Sequence, residues 1–186
     1  MDWLRRQRAT LLFPARQVSS TYFDTRDFRM FVDTVEGSTP RRKVRIRCYG
    51  VHDEQCQSTH SLETKQTTEQ GRQKASEPCP QWRQLETSGL TDRVYGLCTP
   101  AVHITYRRTY YQVHGVRLTI DQNIRYRSLR GSGITNQTLT DFDTAVEVKA
   151  AAADSIDRLI NAFPFPVTKF SKYERAVAGL FPRLTA

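Results

Sequence analysis

Five cations fall within the seven residues RRKVRIR at 41 to 47. Under the period of two that a β-strand imposes, Lys43, Arg45 and Arg47 share one side, while Val44, Ile46 and Cys48 take the other. Arginine offers phosphate oxygens a planar fork and lysine a point charge, so such a row suits a chain of phosphates. Carboxylates recur with the same alternation: Glu63 shares a face with Lys65 in SLETKQ, and Glu147 shares one with Lys149 in TAVEVKA, opposite Val146 and Val148. A divalent ion such as Mg²⁺ or Mn²⁺ is held by one or two carboxylates together with substrate phosphates, which is the chemistry these residue types allow.

The elements that must position these groups are mostly strands. Segments 18–24 and 43–49 are rich in β-branched and aromatic residues and are separated by the EGSTP punctuation at 36 to 40, so they read as antiparallel neighbours. Further strands are expected at 61–66, 102–113, 116–121, 124–129 and 144–150, with a hairpin turn at VHGV, 113 to 116. In VRLTID, Arg117, Thr119 and Asp121 face away from Val116, Leu118 and Ile120, and Arg125 and Arg127 oppose Ile124 and Tyr126. A solvated sheet face is the ordinary meaning of one alternating strand. Repetition over several strands, with Glu and Lys two residues apart, points instead to a small barrel with a charged lumen.

Residues 67 to 92 are polar and read as a loop or one helix around Trp82 to Leu85, and RGSGITNQTLTD at 130 to 141 reads as a long loop. Ile156, Leu159, Ile160 and Phe163 follow a helical spacing behind Asp154 as N-cap. Ser171 and Glu174 have the spacing of a capping box that opens a second helix.

The chain has 186 residues, enough for one domain, and its 28 Lys and Arg against 19 Asp and Glu give a formal charge of +9. An anionic partner follows from that balance. Nine Phe, eight Tyr and two Trp argue for a folded core. Cys48, Cys56, Cys79 and Cys98 form no C-x-x-C and are expected as four free thiols in a reducing compartment. His52, His60, His103 and His114 share no metal-ligand spacing and read as surface or structural residues. No apolar run reaches the roughly 18 residues of a membrane span, so a soluble cytoplasmic protein is expected.

Seven stretches in order resemble the VTC domain of polyphosphate polymerases, within the triphosphate tunnel metalloenzyme (CYTH-like) superfamily. They are VSSTYFDTRDF (18–28), RKVRIRCYG (42–50), LETK (62–65), YRRTYY (106–111), VRLTID (116–121), VEVK (146–149) and TKFSKY (168–173). The resemblance implies a single α+β domain over 1–186: an antiparallel eight-stranded β tunnel or barrel with C-terminal helices. It also implies a tunnel that holds ATP, tripolyphosphate or polyphosphate with Mn²⁺ or Mg²⁺. Family members begin with a strand carrying an E-x-K-Y-like motif, whereas this chain begins MDWLRRQRATLLFP, so the tunnel is expected to lack its first strand.

Carried over residue by residue, Arg45, Arg47, Lys65, Arg108 and Arg117 match the family's catalytic and phosphate-binding cations. Lys149, Lys169 and Lys172 are expected to bind phosphate as well. Glu147 matches the metal-binding glutamate, and Glu63 is expected beside it as a second ligand. Asp24 is expected to have a structural role at a strand end, and Tyr106, Tyr110 and Tyr111 to pack the barrel.

The leading expectation is transfer of the terminal phosphoryl group of ATP to a polyphosphate chain, by positioning and charge neutralisation without a covalent nucleophile. Hydrolysis of a triphosphate in the same tunnel is the alternative, as is a non-catalytic sensor of polyphosphate or inositol polyphosphates. A nucleic-acid partner is not expected, because nucleic-acid binders carry cations on an exposed face without paired glutamates. Arg45→Ala and Arg47→Ala are expected to abolish phosphate handling while sparing the fold, since cations facing one lumen repel one another.

Overall fold

A computed structural model describes residues 2–50, 60–131, 137–149, 161 and 163–184. Nine strands form its frame: β1 (Thr10–Asp24), β2 (Arg41–Gly50), β3 (Ser61–Thr68), β4 (Gly71–Pro78), β5 (Leu90–Asp92), β6 (Gly96–Val113), β7 (Val116–Ser128), β8 (Thr138–Asp141) and β9 (Ala145–Lys149). Four helices accompany them among the described residues: α1 (Asp2–Arg6), α2 (Arg29–Glu36), α3 (Trp82–Ser88) and α4 (Lys172–Leu180). All pairings are antiparallel, in the order β4-β3-β2-β1-β6-β7, with β8 and β9 set end to end along the outer edge of β7 and β5 paired to β6.

Among the described residues the sheet has nine strands rather than eight and no hydrogen-bonded closure, and the architecture is the antiparallel, tunnel-like α+β fold that was expected. The sheet is strongly curved. Lys65 on β3 and Glu147 on β9 are five strand steps apart, which a flat sheet would space by roughly 24 Å. Yet Glu147 and Lys149 both act electrostatically on Lys65.

Alternation sorts the side chains between the two faces. Val18, Ser20, Tyr22, Arg45, Arg47, Ile104 and Tyr106 share the concave face, where Tyr173, Ala176, Val177 and Leu180 of α4 complete an apolar core. Val44, Ile46 and Phe23 share the convex face, in a second core with Met30, Cys79, Tyr95 and Cys98. The buried Asp24 carboxylate ties the end of β1 to both flanking helices. It accepts from the backbone N–H groups of Met30 and Phe31, capping α2, and from the Tyr173 hydroxyl of α4. This is the structural role expected of Asp24.

Several sequence expectations change. The segments 116–121 and 124–129 are one strand interrupted by a bulge: Arg107 stands opposite Gln122 but Thr105 opposite Arg125, leaving an extra residue on β7 at Asn123, whose φ is 54°. A bulge shifts the alternation by one residue. Asp121 and Thr119 therefore share the concave face with Ile124 and Tyr126, and Arg125 and Arg127 turn to the convex side. β4 lies in the expected loop of 67–92, and β8 in that of 130–141.

Cys48 is disulfide-bonded, while Cys79 and Cys98 are free, so four free thiols is not the observed state. A bridge needs only two Cα atoms within about 7 Å, a condition that sequence spacing does not reveal. The helix expected between Asp154 and Phe163 lies mainly outside the described residues. Ser171 does cap α4, accepting from Glu174 N–H, but the Glu174 carboxylate is engaged by lysines.

Candidate phosphate-binding face

Three carboxylates organise the cations of the concave face. Glu63, 4% exposed, accepts from Arg45 Nε at 2.8 Å and Nη2 at 2.5 Å through Oε2, and from Lys74 Nζ at 2.7 Å through Oε1. Arg47 Nη1 is 3.6 Å from the same Oε2. Asp121, 1% exposed, takes a bidentate grip from Arg108 at 2.6 and 2.8 Å and a further 2.6 Å contact from Lys172 Nζ. Glu174 joins Lys43 and Lys169, both at 3.1 Å.

Because Lys172 and Glu174 lie on the first turn of α4 and their partners on β7 and β2, that turn straps the two flanks of the open sheet together.

Tyrosines complete the setting of the arginines. Arg45 Nη1 donates to the Tyr22 hydroxyl at 2.6 Å, Arg47 Nε to Ser20 Oγ at 3.0 Å, and Arg47 Nη2 to the Tyr106 hydroxyl at 3.1 Å. The Tyr106 ring also carries Arg108 and Lys172 on its face, 5.2 and 4.8 Å from the centroid, distances at which a ring attracts a cation. Tyr106 is thus core packing and cation support at once.

The titration shifts follow this crowding. Burial works against ionised Glu63, but Arg45, Arg47 and Lys74 outweigh it and bring its pKa to about 2. Burial likewise opposes ionised Asp121, and Arg108 and Lys172 hold its pKa below the usual carboxylate value. Tyr22 is buried, which alone would raise its pKa; Arg45, Arg47 and Lys43 instead lower it to about 8. Lys65 has its pKa lowered by burial and then by Arg45. It is exposed by area and still partly desolvated, as expected for a group in a concave recess.

Of the residues singled out in the sequence, Arg45, Arg47, Lys65 and Glu63 gather on the β2–β3 flank, and Arg108, Lys172, Glu147 and Lys149 on the β6–β7–β9 flank. Arg117 lies at the far end of β7, exposed and paired in register with Lys149, and Lys169 is an exposed residue before α4. Glu147 is about half exposed, 3.2 Å from Lys149 and 3.9 Å from Arg108.

Lys43, Lys74, Asp121 and Tyr22 also belong to the face, although motif matching passed over them. Alternation already places Lys43 with Arg45 and Arg47, and Asp121 with Arg117, although neither was assigned a role in the site. Lys74 gave no signal, because all of β4 is exposed and its sequence carries no apolar alternation.

The pairing of Arg45 and Arg47 also alters one expectation: each is buried against Glu63, so removing either should leave a buried charge short of a partner and cost stability.

Among the described residues no group of three or more His, Cys, Asp or Glu side chains forms a metal cage. A magnesium-like ion does not require one when phosphates and water supply the remaining ligands. Half-exposed Glu147 fits the part of a single protein ligand. Glu63 does not fit it, because both its oxygens are already taken by cations.

Comparison with known proteins gives a family and a fold. The model of the VTC domain family matches residues 3–86 and 91–181. No curated protein matches the chain in sequence. Among solved structures, a Bacillus halodurans protein named a "putative adenylate cyclase" shares the fold with a TM-score of 0.55 at 13% identity, over 90% of this chain and 94% of that one.

Proposed function

The chain belongs to the VTC domain family, and from that premise we propose that its concave face binds ATP and polyphosphate and transfers the terminal phosphoryl group of ATP to the end of the polymer. The observation that carries this reading is the convergence of Arg45, Arg47, Lys65, Arg108 and Lys172 from β2, β3, β6 and α4 onto one curved face. The name of the Bacillus halodurans neighbour, a "putative adenylate cyclase", is consistent with a nucleoside triphosphate as one substrate.

Phosphoryl transfer asks a protein mainly for positioning and charge neutralisation, and fixed cations supply both. Lys65, Lys149 and Arg117 are exposed to an entering phosphate chain, so they make the first contacts. Arg45, Arg47 and Arg108 lie deeper and are already aimed by Glu63 and Asp121. Those carboxylates hold the guanidinium forks in register, so little rotamer entropy remains to be lost when phosphate oxygens arrive. Glu147 would hold a Mn²⁺ or Mg²⁺ ion, which when bound would add neutralising charge beside the phosphates. Lys169 and Lys172 would extend the track along the N-terminal turn of α4.

Hydrolysis of a triphosphate is the second reading, since water could take the place of the polymer end on the same face. The test is incubation with γ-labelled ATP and Mn²⁺, followed by separation of long polymer from orthophosphate. Label in polymer supports the polymerase. Label in orthophosphate alone assigns the triphosphatase, and binding of tripolyphosphate without turnover assigns a sensor.

A further inference from the structure

On the opposite, convex face a cavity of about 470 Å³ opens between the sheet, α3 and the segment after β7. Its volume lies in the roughly 300–1,000 Å³ range of small-molecule sites. Thr21, His103 and Arg127 form the floor, Glu86 and Thr87 of α3 one wall, and Thr99, Pro100 and residues 129–131 the other, with Arg26 among the lining residues. Thr21, His103 and Arg127 are register partners across β1, β6 and β7, so they share one face, and alternation separates them from Tyr22 and Tyr126 on the concave side.

The floor is a wired polar row. Arg127 Nη2 lies 2.9 Å from His103 Nδ1, and His103 Nε2 lies 2.6 Å from Ser19 Oγ. A guanidinium can only donate, so Nδ1 accepts and Nε2 carries the proton that goes to Ser19. Ser19 is therefore not facing a free base, and the row is no nucleophilic dyad.

What it does is hold Arg127 over the floor while committing one of its five N–H donors to His103. Arg130 adds charge although its donors go to the carbonyls of Asp24, Thr25 and Arg26. The carboxylate of Glu86, which accepts from Thr21, faces this cationic side across the cavity.

We propose that this cavity is a second ligand site, separate from the phosphate-binding face, for a small phosphorylated molecule that also carries hydroxyl groups. Arg127 and Arg26 would take the phosphate, as guanidinium groups take tetrahedral anions. Glu86, Thr87 and Thr99 would take the hydroxyls, since a carboxylate accepts only from a donor and would repel a second anion. A long polyphosphate is excluded on the same ground.

The test is an NMR titration of the chain with glycerol 3-phosphate, following the His103 imidazole resonances, and repeated with inorganic phosphate and with tripolyphosphate. The expected result is a saturable shift of His103 with glycerol 3-phosphate, weaker by tenfold or more with inorganic phosphate. It should be lost in Arg127→Gln, weakened in the rim variant Arg26→Ala, and unchanged in Lys65→Ala, which lies on the other face. No saturable shift, a shift that survives both arginine substitutions, or one lost in Lys65→Ala would overturn the proposal.

Discussion

On the concave face Arg45, Arg47 and Arg108 are held by Glu63 and Asp121, with their side chains 7–13% exposed, whereas Arg127 on the convex face is held by a neutral imidazole beside open space. The same residue type is thus set in two ways by one sheet. Where a carboxylate sits between two or three cations, it neutralises part of their charge, and the cations stay aimed without a ligand. Where no carboxylate is bonded to the guanidinium, the position can persist only if the charge remains partly hydrated. The first arrangement fixes geometry at the cost of desolvation, and the second keeps the guanidinium beside water at less cost.

The contrast should appear most strongly in stability. Arg45→Ala strips Glu63 of its closest partner in a buried setting, and a loss of about 3–5 kcal/mol is expected in urea unfolding. Arg127→Ala leaves no buried anion behind and should cost about 1 kcal/mol. Equal losses would erase the distinction between the two faces.

Acid should act on the concave face through Glu63. The folded pKa of Glu63 is depressed from 4.5 to about 2, so its contribution is fully present above the unfolded value and is lost as pH falls from about 4.5 through 2. The shift corresponds to on the order of 3 kcal/mol. Glu63→Gln should flatten that part of the pH–stability curve; an unchanged slope would show that Glu63 is not the titrating group.

The smallest effect is spectroscopic. Tyr22, depressed to about 8, should ionise ahead of the other tyrosines, and difference absorbance near pH 8 should disappear in Tyr22→Phe. Because the folded state gives up this proton first, the contribution to stability rises between about pH 8 and 10. Tripolyphosphate, by neutralising Arg45 and Arg47, should move the Tyr22 midpoint upward. A midpoint indifferent to tripolyphosphate would separate Tyr22 from the ligand's field.

Much of this architecture is legible in the sequence, for reasons that also explain the gaps. β1 and β2 announce themselves because buried Val, Ile, Tyr and Phe alternate with polar residues, and the cation row on β2 follows from that alternation. The capping signal at Ser171 located α4 for the same local reason. β4 was invisible because an edge strand exposed on both faces has no hydrophobic period to show. The bulge at Asn123 looked like a break between strands, although the flip in phase from Asp121 to Ile124 is its signature.

An incomplete tunnel was expected from the missing first-strand motif, but the number of strands was not, because β4 and β8 carry no strand signal of their own. The pairing of Glu63 with Arg45 is a cross-strand contact set by register, which a reading within β3, with Glu63 as a metal ligand on the face of Lys65, does not contain. The cavity above His103 needed α3 to be placed over the sheet, and no spacing within one strand encodes that.

The most direct test of the phosphate-binding face is calorimetric titration of the chain with tripolyphosphate, run on the unaltered protein, Lys65→Ala and Arg127→Gln. Lys65 is exposed and no ion pair is seen for it among the described residues, so its removal should change stability by no more than about 0.5 kcal/mol. Affinity should fall at least tenfold in Lys65→Ala and stay unchanged in Arg127→Gln. Tripolyphosphate bound equally well by Lys65→Ala, or lost in Arg127→Gln, would contradict the assignment of the concave face as the phosphate site.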